Sequence, residues 1–183
     1  MYKRQPVTVV RYPDILQCLD EKVHAYVSVE SGSESQRRRL GRLATSVSED
    51  VDAVVRVAQR GCRVESGFIL VDPLSTREEV LQSLEVIEKL LELGVTVWAQ
   101  GYLRIPFWRV EYFRKRGIEC ELDRSLDGTV FTFTPQDESL GEVVNYLRKV
   151  SSAFQVSKHA FREGKDVKRW IQGIVCEIRK ILG

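Results

Sequence analysis

Two stretches constrain this chain more than anything else in it. Ala25-Tyr26-Val27-Ser28-Val29 runs straight into Glu30-Ser31-Gly32-Ser33, and Arg63-Val64-Glu65-Ser66-Gly67-Phe68-Ile69-Leu70-Val71 runs into Asp72-Pro73. In each, a β-prone run ends abruptly in small and acidic residues, and a helical pattern follows. One helix length separates the two. That order is the grammar of a parallel β/α sheet, where ligands bind beyond the carboxyl ends of the strands.

The rest of the chain continues the alternation. Val7–Val10 reads as a short strand, and Pro13 to Asp20 as a short helix. Ser33 to Leu40 reads as a short polar helix. Ser46 with Glu49 forms a capping box for a helix carrying Val51, Val54, Val55 and Ala58, which stops at Gly61. Thr76 with Glu79 caps the clearest helix, with Val80, Leu84, Ile87 and Leu91 down one face and Gly94 at its end. Val95–Ala99 is the fourth strand. Trp108–Arg116 is helical, and Thr129–Phe133 is β-prone. After Asp137 the pattern is helical only. Leu140, Val143, Val144, Leu147 and Val150 mark one helix, extending as far as Phe161, and Val167, Trp170, Ile171, Ile174, Val175, Ile178 and Ile181 mark another. The expected fold is therefore α/β: about four parallel strands of a partial (β/α) TIM-like barrel, over residues 6–135, with a helical extension over 136–183.

Met1-Tyr2-Lys3-Arg4-Gln5 reads as the translation of ATG-TAT-AAG-AGA-CAG, the end of a transposase sequencing adaptor. On that reading residues 1–5 are an artefact and the natural sequence starts near Pro6; the alternative is a genuine start. The distinction matters for charge. The chain has 28 basic and 26 acidic residues, net +2. Without Lys3 and Arg4 the net charge is zero, which removes the electrostatic case for nucleic acid. No apolar run approaches the ~20 residues that cross a bilayer, so no membrane contact is expected. Cys18, Cys62, Cys120 and Cys176 are too far apart in sequence for a metal-ligand pattern. Reduced, buried cysteines in a cytoplasmic protein are expected. His24 and His159 form no motif.

Among candidate site residues, Glu30 stands first. A carboxylate directly after a strand lies at the mouth of a sheet, where it can accept hydrogen bonds from ribose hydroxyls or an ammonium group. An acidic helix-capping turn reads equally well. Gly32 is expected to let the backbone approach a ligand. Arg37, Arg38 and Arg39 read as a solvated helix face. Aromatic residues between Trp98 and Phe113 read as core and lid.

Taken in order, these stretches resemble the C-terminal half of the radical S-adenosylmethionine core, from about Val7 to Phe133. Glu30-Ser31-Gly32-Ser33 is similar to the sequence that often ends the fourth strand of that barrel. Arg42, in Leu40-Gly41-Arg42, matches a Gly followed by a basic residue. Gly67-Phe68-Ile69-Leu70-Val71 matches a Gly-x-Ile-x-Gly motif at Gly67 and Ile69, with Val71 in place of the second Gly. Phe68-Ile69-Leu70-Val71-Asp72-Pro73 resembles a variant found in members with an upstream cobalamin-binding domain. Leu103-Arg104-Ile105-Pro106 is similar to a segment after the sixth strand.

The resemblance implies roles. Glu30 and Ser31 would face S-adenosylmethionine. Arg42 would pair with its methionyl carboxylate through a planar guanidinium fork. Gly67 and Ile69 would pack the adenine, and Arg104 would face substrate or cofactor, or cap the barrel through an ion pair. The family's [4Fe-4S] cluster is held by Cys-x3-Cys-x2-Cys after the first strand, a motif this sequence lacks. The chain is thus expected to be strands three to six of a longer radical S-adenosylmethionine enzyme, inactive alone, with the rest of the barrel as its partner. The parent would generate a 5'-deoxyadenosyl radical that abstracts hydrogen from a small-molecule or peptide substrate, with cobalamin a further cofactor. Two other readings stay open: a degenerate, cluster-less barrel serving as a binding or scaffold module, and an unrelated β/α-barrel enzyme using a phosphate site or an acid–base pair. A nucleic-acid adaptor ranks behind both.

Overall fold

The structure is a computed structural model that describes residues 2–4, 9, 11–99, 105–123, 130–157 and 167–183. Its centre is a parallel sheet in sequential order: β1 (Tyr2–Arg4), β2 (His24–Val27), β3 (Arg63–Phe68) and β4 (Thr96–Ala99). The register sets Ala25 beside Val64, Tyr26 beside Glu65, and Gly67 beside Trp98. Helices return the chain between strands, as parallel pairing requires. They are α1 (Glu34–Arg39), α2 (Val47–Gln59) and α3 (Arg77–Glu92). Both capping boxes read from the sequence are present, Ser46 with Glu49 and Thr76 with Glu79.

The two faces of this sheet differ in chemistry. Ala25, Val27, Val64, Phe68 and Val97 alternate onto one face and are buried in a core with Val54, Val57, Leu84 and Ile87 of α2 and α3. His24, Tyr26, Ser28, Thr96 and Trp98 alternate onto the other and stay half-exposed. A parallel sheet usually has apolar residues on both faces because helices cover both. A polar, half-open face on such a sheet marks where something other than a helix is accommodated.

The first strand departs from expectation. The strand pairing with β2 is Tyr2–Arg4, in register Tyr2 to Ala25 and Arg4 to Val27, not Val7–Val10; Val9 is helical. The short helix after it is a 3-10 segment, Pro13–Cys18. Beyond β4 lies a small antiparallel sheet of which the sequence signalled only β7: β5 (Ile105–Pro106), β6 (Cys120–Leu122) and β7 (Val130–Phe133), in order β5-β7-β6, with α4 (Phe107–Arg114) between β5 and β6. Its strands are too short to show alternation.

The helical extension consists of α5 (Gly141–Ser157) and α6 (Val167–Leu182). It does not stand apart. α6 buries Ile171, Ile174, Val175 and Ile178 and packs on α3 and β4. Arg179 grips Glu88 of α3 through two bonds of 3.0 and 2.7 Å. Arg77, at the start of α3, donates to the Leu182 carbonyl at the end of α6. The extension thus completes the helical layer over β4. None of the described helices is long and apolar enough to cross a membrane.

Candidate functional site

The site forms where β2 and β3 end. Glu30 leaves β2 with φ of 69°, the one non-glycine residue at positive φ among those described. Its amide donates to the Gly67 carbonyl (2.9 Å), and its carbonyl accepts from the Ile69 amide (2.7 Å). The chain therefore turns sharply yet stays tied to β3. A left-handed backbone costs a non-glycine residue about 1 kcal/mol, and such strain concentrates where a side chain must be aimed. The carboxylate so placed accepts from Ser28 Oγ at 2.7 Å and is ion-paired with Arg42. Both partners keep about a quarter of their side-chain surface open, 20% for Glu30 and 26% for Arg42.

Behind this mouth, a buried polar network joins the two strand-end loops. Ser31 Oγ donates to Gln36 Oε1 (2.5 Å), lies 3.2 Å from Ser83 Oγ and accepts from the Ser33 amide. Gln36 Nε2 donates to the Leu70 carbonyl and to Ser75 Oγ, which in turn accepts from the Asp72 amide. Ser31 is fully buried, so its hydroxyl shapes the loop from inside. Gly32 has a different task from the one expected. A Cβ there would lie 2.4 Å from the Gln82 carbonyl oxygen. Its bareness lets the loop press against α3, with its amide bonded to Ser83 Oγ.

The arginines of α1 also correct the sequence reading. Only Arg38 is exposed. Arg37 is fully buried, ion-paired with Asp50 and donating to the Thr45 carbonyl and hydroxyl. Arg39 spans Asp72 (3.0 Å) and Glu79 (2.5 Å). Helical periodicity places three arginines on adjacent faces. It does not show that acids from α2, α3 and the β3 loop converge on two of them. Burial pushes the Glu79 carboxyl up, but hydrogen bonds from Arg39, Ser35 and the Thr76 amide outweigh it and hold it below the usual range. These clamps fix the segment that carries Ser31 and Arg42.

At Gly67 the cradle has an occupant. A Cβ there would meet the Tyr26 hydroxyl at 2.1 Å and Ser28 Oγ at 3.3 Å. The bare strand position therefore seats a phenol. Burial raises the Tyr26 pKa against the pull of Ser28, and the Glu30 and Glu65 carboxylates add to the rise. Ile69 is half-buried beside this position. Arg104 lies outside the described residues. The structure thus brings Glu30, Arg42, Gly67 and Ile69 to one mouth, with Ser31 beneath it. Tyr26 and Ser28 were not among the expected site residues. Their signal was the run of polar side chains at every second position, His24, Tyr26, Ser28 and Glu30.

The donor set fits part of S-adenosylmethionine. Arg42 and Glu30 offer a guanidinium and a carboxylate for its amino-acid or ribose groups, and Ile69 offers an apolar wall. Ser31 is committed inward, and the Gly67 surface opens to a ligand only where Tyr26 leaves it free. The described residues offer no fit for an iron–sulfur cluster. Among the described residues no group of three His, Cys, Asp or Glu side chains could hold a metal, and the four cysteines are scattered thiols.

No family model and no curated protein sequence matches this chain. Solved structures do. A cobalamin-dependent S-adenosylmethionine radical enzyme, OxsB, with aqua-cobalamin bound superposes with a TM-score of 0.65 at 15% identity, over 98% of this chain and 33% of that one. The same enzyme with aqua-cobalamin and S-adenosylmethionine bound gives the same values. Its apo form, SeMet-labelled, gives 0.57 over 87% of this chain and 29% of that one. The chain spans about a third of the length of these structures, and at this identity the likeness is one of fold.

Proposed function

We propose that this chain is the C-terminal part of the core barrel of a radical S-adenosylmethionine enzyme, with β2–β4 equivalent to strands four to six of that core. The observation that carries the reading is Glu30. A strained carboxylate at a strand end, paired with Arg42 twelve residues on, stands on a fold that nearly all superposes on such an enzyme.

On this reading each residue has a defined task. Arg42 leaves Glu30 to take the methionyl carboxylate in a bidentate grip. Glu30, released, accepts from the ammonium group or the ribose hydroxyls. Ser28 holds the Glu30 carboxylate in place meanwhile. Ile69 packs one side of the adenine, with the edge of Gly67 beside it. Ser31, Gln36 and Ser83 keep the loop from moving. Arg104 is assigned to substrate or cofactor on the family resemblance of Leu103-Arg104-Ile105-Pro106 alone. When bound with a reduced [4Fe-4S] cluster, S-adenosylmethionine supplies radical chemistry; the protein's part is to bind, orient and exclude water. The cluster ligands and the rest of the barrel belong to sequence beyond this chain, which is inactive by itself. Cobalamin in the parent is supported by the cobalamin-dependent neighbours.

One observation favours a second reading. Tyr26 seated on Gly67 fills space that a cofactor base would share. A barrel without a cluster, acting as a binding module, would tolerate that permanently. Ligand-observed NMR with S-adenosylmethionine separates the two. The first reading expects saturable binding by the chain, lost in Arg42→Ala and kept in a surface control, Lys115→Ala. Absence of binding, or binding indifferent to Arg42, would leave the module.

A further inference from the structure

Tyr26 is a titratable side chain on the half-open face of the sheet, and the roles assigned so far leave it unused. Ser28 shares that face two residues on, and Glu30 follows at the same spacing. The phenol is hydrogen-bonded to the Ser28 hydroxyl, above the bare backbone of Gly67. Ser28 Oγ donates to Glu30 Oε1 at 2.7 Å, while its other acceptor within reach, the Gly67 carbonyl, lies at 3.4 Å. A hydroxyl has one proton to give and two lone pairs to offer. With that proton on Glu30, the Ser28 oxygen is left to accept, and the phenol donates to it. The line therefore has a direction, from Tyr26 to Ser28 to Glu30. A carboxylate is the natural end of such a line, because each bond polarises the next. Arg42 closes on the same oxygen, Oε1. Oε2 accepts from none of the described residues and points no bond back into the protein.

We propose that Tyr26 is a positioning residue for Glu30, acting through Ser28, and that Glu30 Oε2 is the atom that meets the donor group of the ligand. The line keeps Oε1 engaged when Arg42 turns to the ligand, so the carboxylate keeps its aim. Gly67 belongs to the same device, since a side chain there would displace the phenol oxygen. The inference rests on the preceding reading for the identity of the ligand; the line from Tyr26 to Glu30 does not depend on it.

The test makes two measurements on the full chain. The first is affinity for S-adenosylmethionine by titration calorimetry. Tyr26→Phe and Ser28→Ala should each weaken it by about three- to tenfold, as loss of one hydrogen bond implies. The double variant should bind no more weakly than Ser28→Ala alone, because a phenol that acts through Ser28 then has nothing to act on. Ser28→Thr keeps the hydroxyl and should restore most of the affinity. Losses that add in the double variant would overturn the proposal. So would tighter binding by Tyr26→Phe, which would make the phenol oxygen an obstacle. The second measurement needs no ligand: the NMR signal of the Tyr26 Cζ carbon in chain labelled at that position of tyrosine. It should move in both Ser28→Ala and Glu30→Gln and stay in place in Lys115→Ala. A signal indifferent to Ser28→Ala and Glu30→Gln would overturn the line. If the parent chain binds no S-adenosylmethionine while those signals move, the cofactor reading falls and Tyr26 still positions Glu30.

Discussion

Arg42 closes an ion pair on Glu30 across the loop that follows β2, and Glu30 is held at φ 69° while it does so. The pair is partly solvated, so its own contribution to stability is at most about 1 kcal/mol. The left-handed backbone costs about as much. Two substitutions therefore diverge. Glu30→Gly loses the pair and relieves the backbone, and its stability should stay within about 1 kcal/mol of the parent. Glu30→Ala loses the pair and keeps the strain, and should fall about 1 kcal/mol below the glycine variant. Urea denaturation of both checks the order; an alanine variant as stable as the glycine variant would mean the backbone is unstrained.

Gly67 and Tyr26 should be energetically coupled. Gly67→Ala drives a methyl into the phenol oxygen and should cost about 1–3 kcal/mol, the usual range for overpacking. Tyr26→Phe removes that oxygen, so Gly67→Ala should cost less in the Tyr26→Phe background. The double-mutant cycle measures this directly. Gly32→Ala meets the Gln82 backbone carbonyl instead, which no side-chain change can relieve. Its loss should be larger and insensitive to Tyr26.

Acid should loosen the clamp on α1. The Glu79 carboxyl is held below its ordinary value of 4.5 in the fold. A depressed carboxyl contributes stability that is complete above the unfolded pKa, near 4.5, and that fades as pH falls through the folded value. Asp137, held down by its bonds to Ser139 and the Arg77 amide, adds the same sign. Glu79→Gln should flatten the dependence of unfolding free energy on pH below about 4.5. A slope in Glu79→Gln equal to the parent's would remove Glu79 from this account.

Gln36 should couple the two strand-end loops. Gln36→Leu strips donors from the Leu70 carbonyl and Ser75 and the acceptor from Ser31, all buried, at a cost of about 1–3 kcal/mol. Hydrogen exchange should quicken at the Ser33 and Asp72 amides, which depend on Ser31 and Ser75. Exchange raised equally over all of α3 would point to general loosening.

Much of this architecture was legible because the local signals are strong and agree. The capping boxes at Ser46 and Thr76, and the abrupt ends of β2 and β3, each combine propensity with pattern, and the structure has them where the residues put them. The end of β2 drew attention to Glu30 for the same reason, while Arg42 came from the resemblance of Leu40-Gly41-Arg42 to a family pattern. What escaped was long-range. Arg37 reads as solvated until Asp50 arrives from the next helix and Thr45 from the loop before it. Gly32 and Gly67 read as room for a ligand, while the room is taken by α3 and by Tyr26. β1 at Tyr2–Arg4 has neither the composition nor the length of a strand, and only its pairing with β2 makes it one. In the small antiparallel sheet β7 was legible as a β-prone run, while β5 and β6 have two and three residues, below the length at which alternation can be seen.

The central claim is that the strand ends around Glu30 and Arg42 serve a radical S-adenosylmethionine core whose cluster ligands lie outside this chain. The sequence of the gene upstream of Met1, read in long continuous fragments, tests it most directly. The account predicts a continuous open frame that encodes Cys-x3-Cys-x2-Cys after a β-prone run, with the first strands of the barrel around it. A start at Met1 with no upstream frame, or an upstream barrel half without those cysteines, would contradict it.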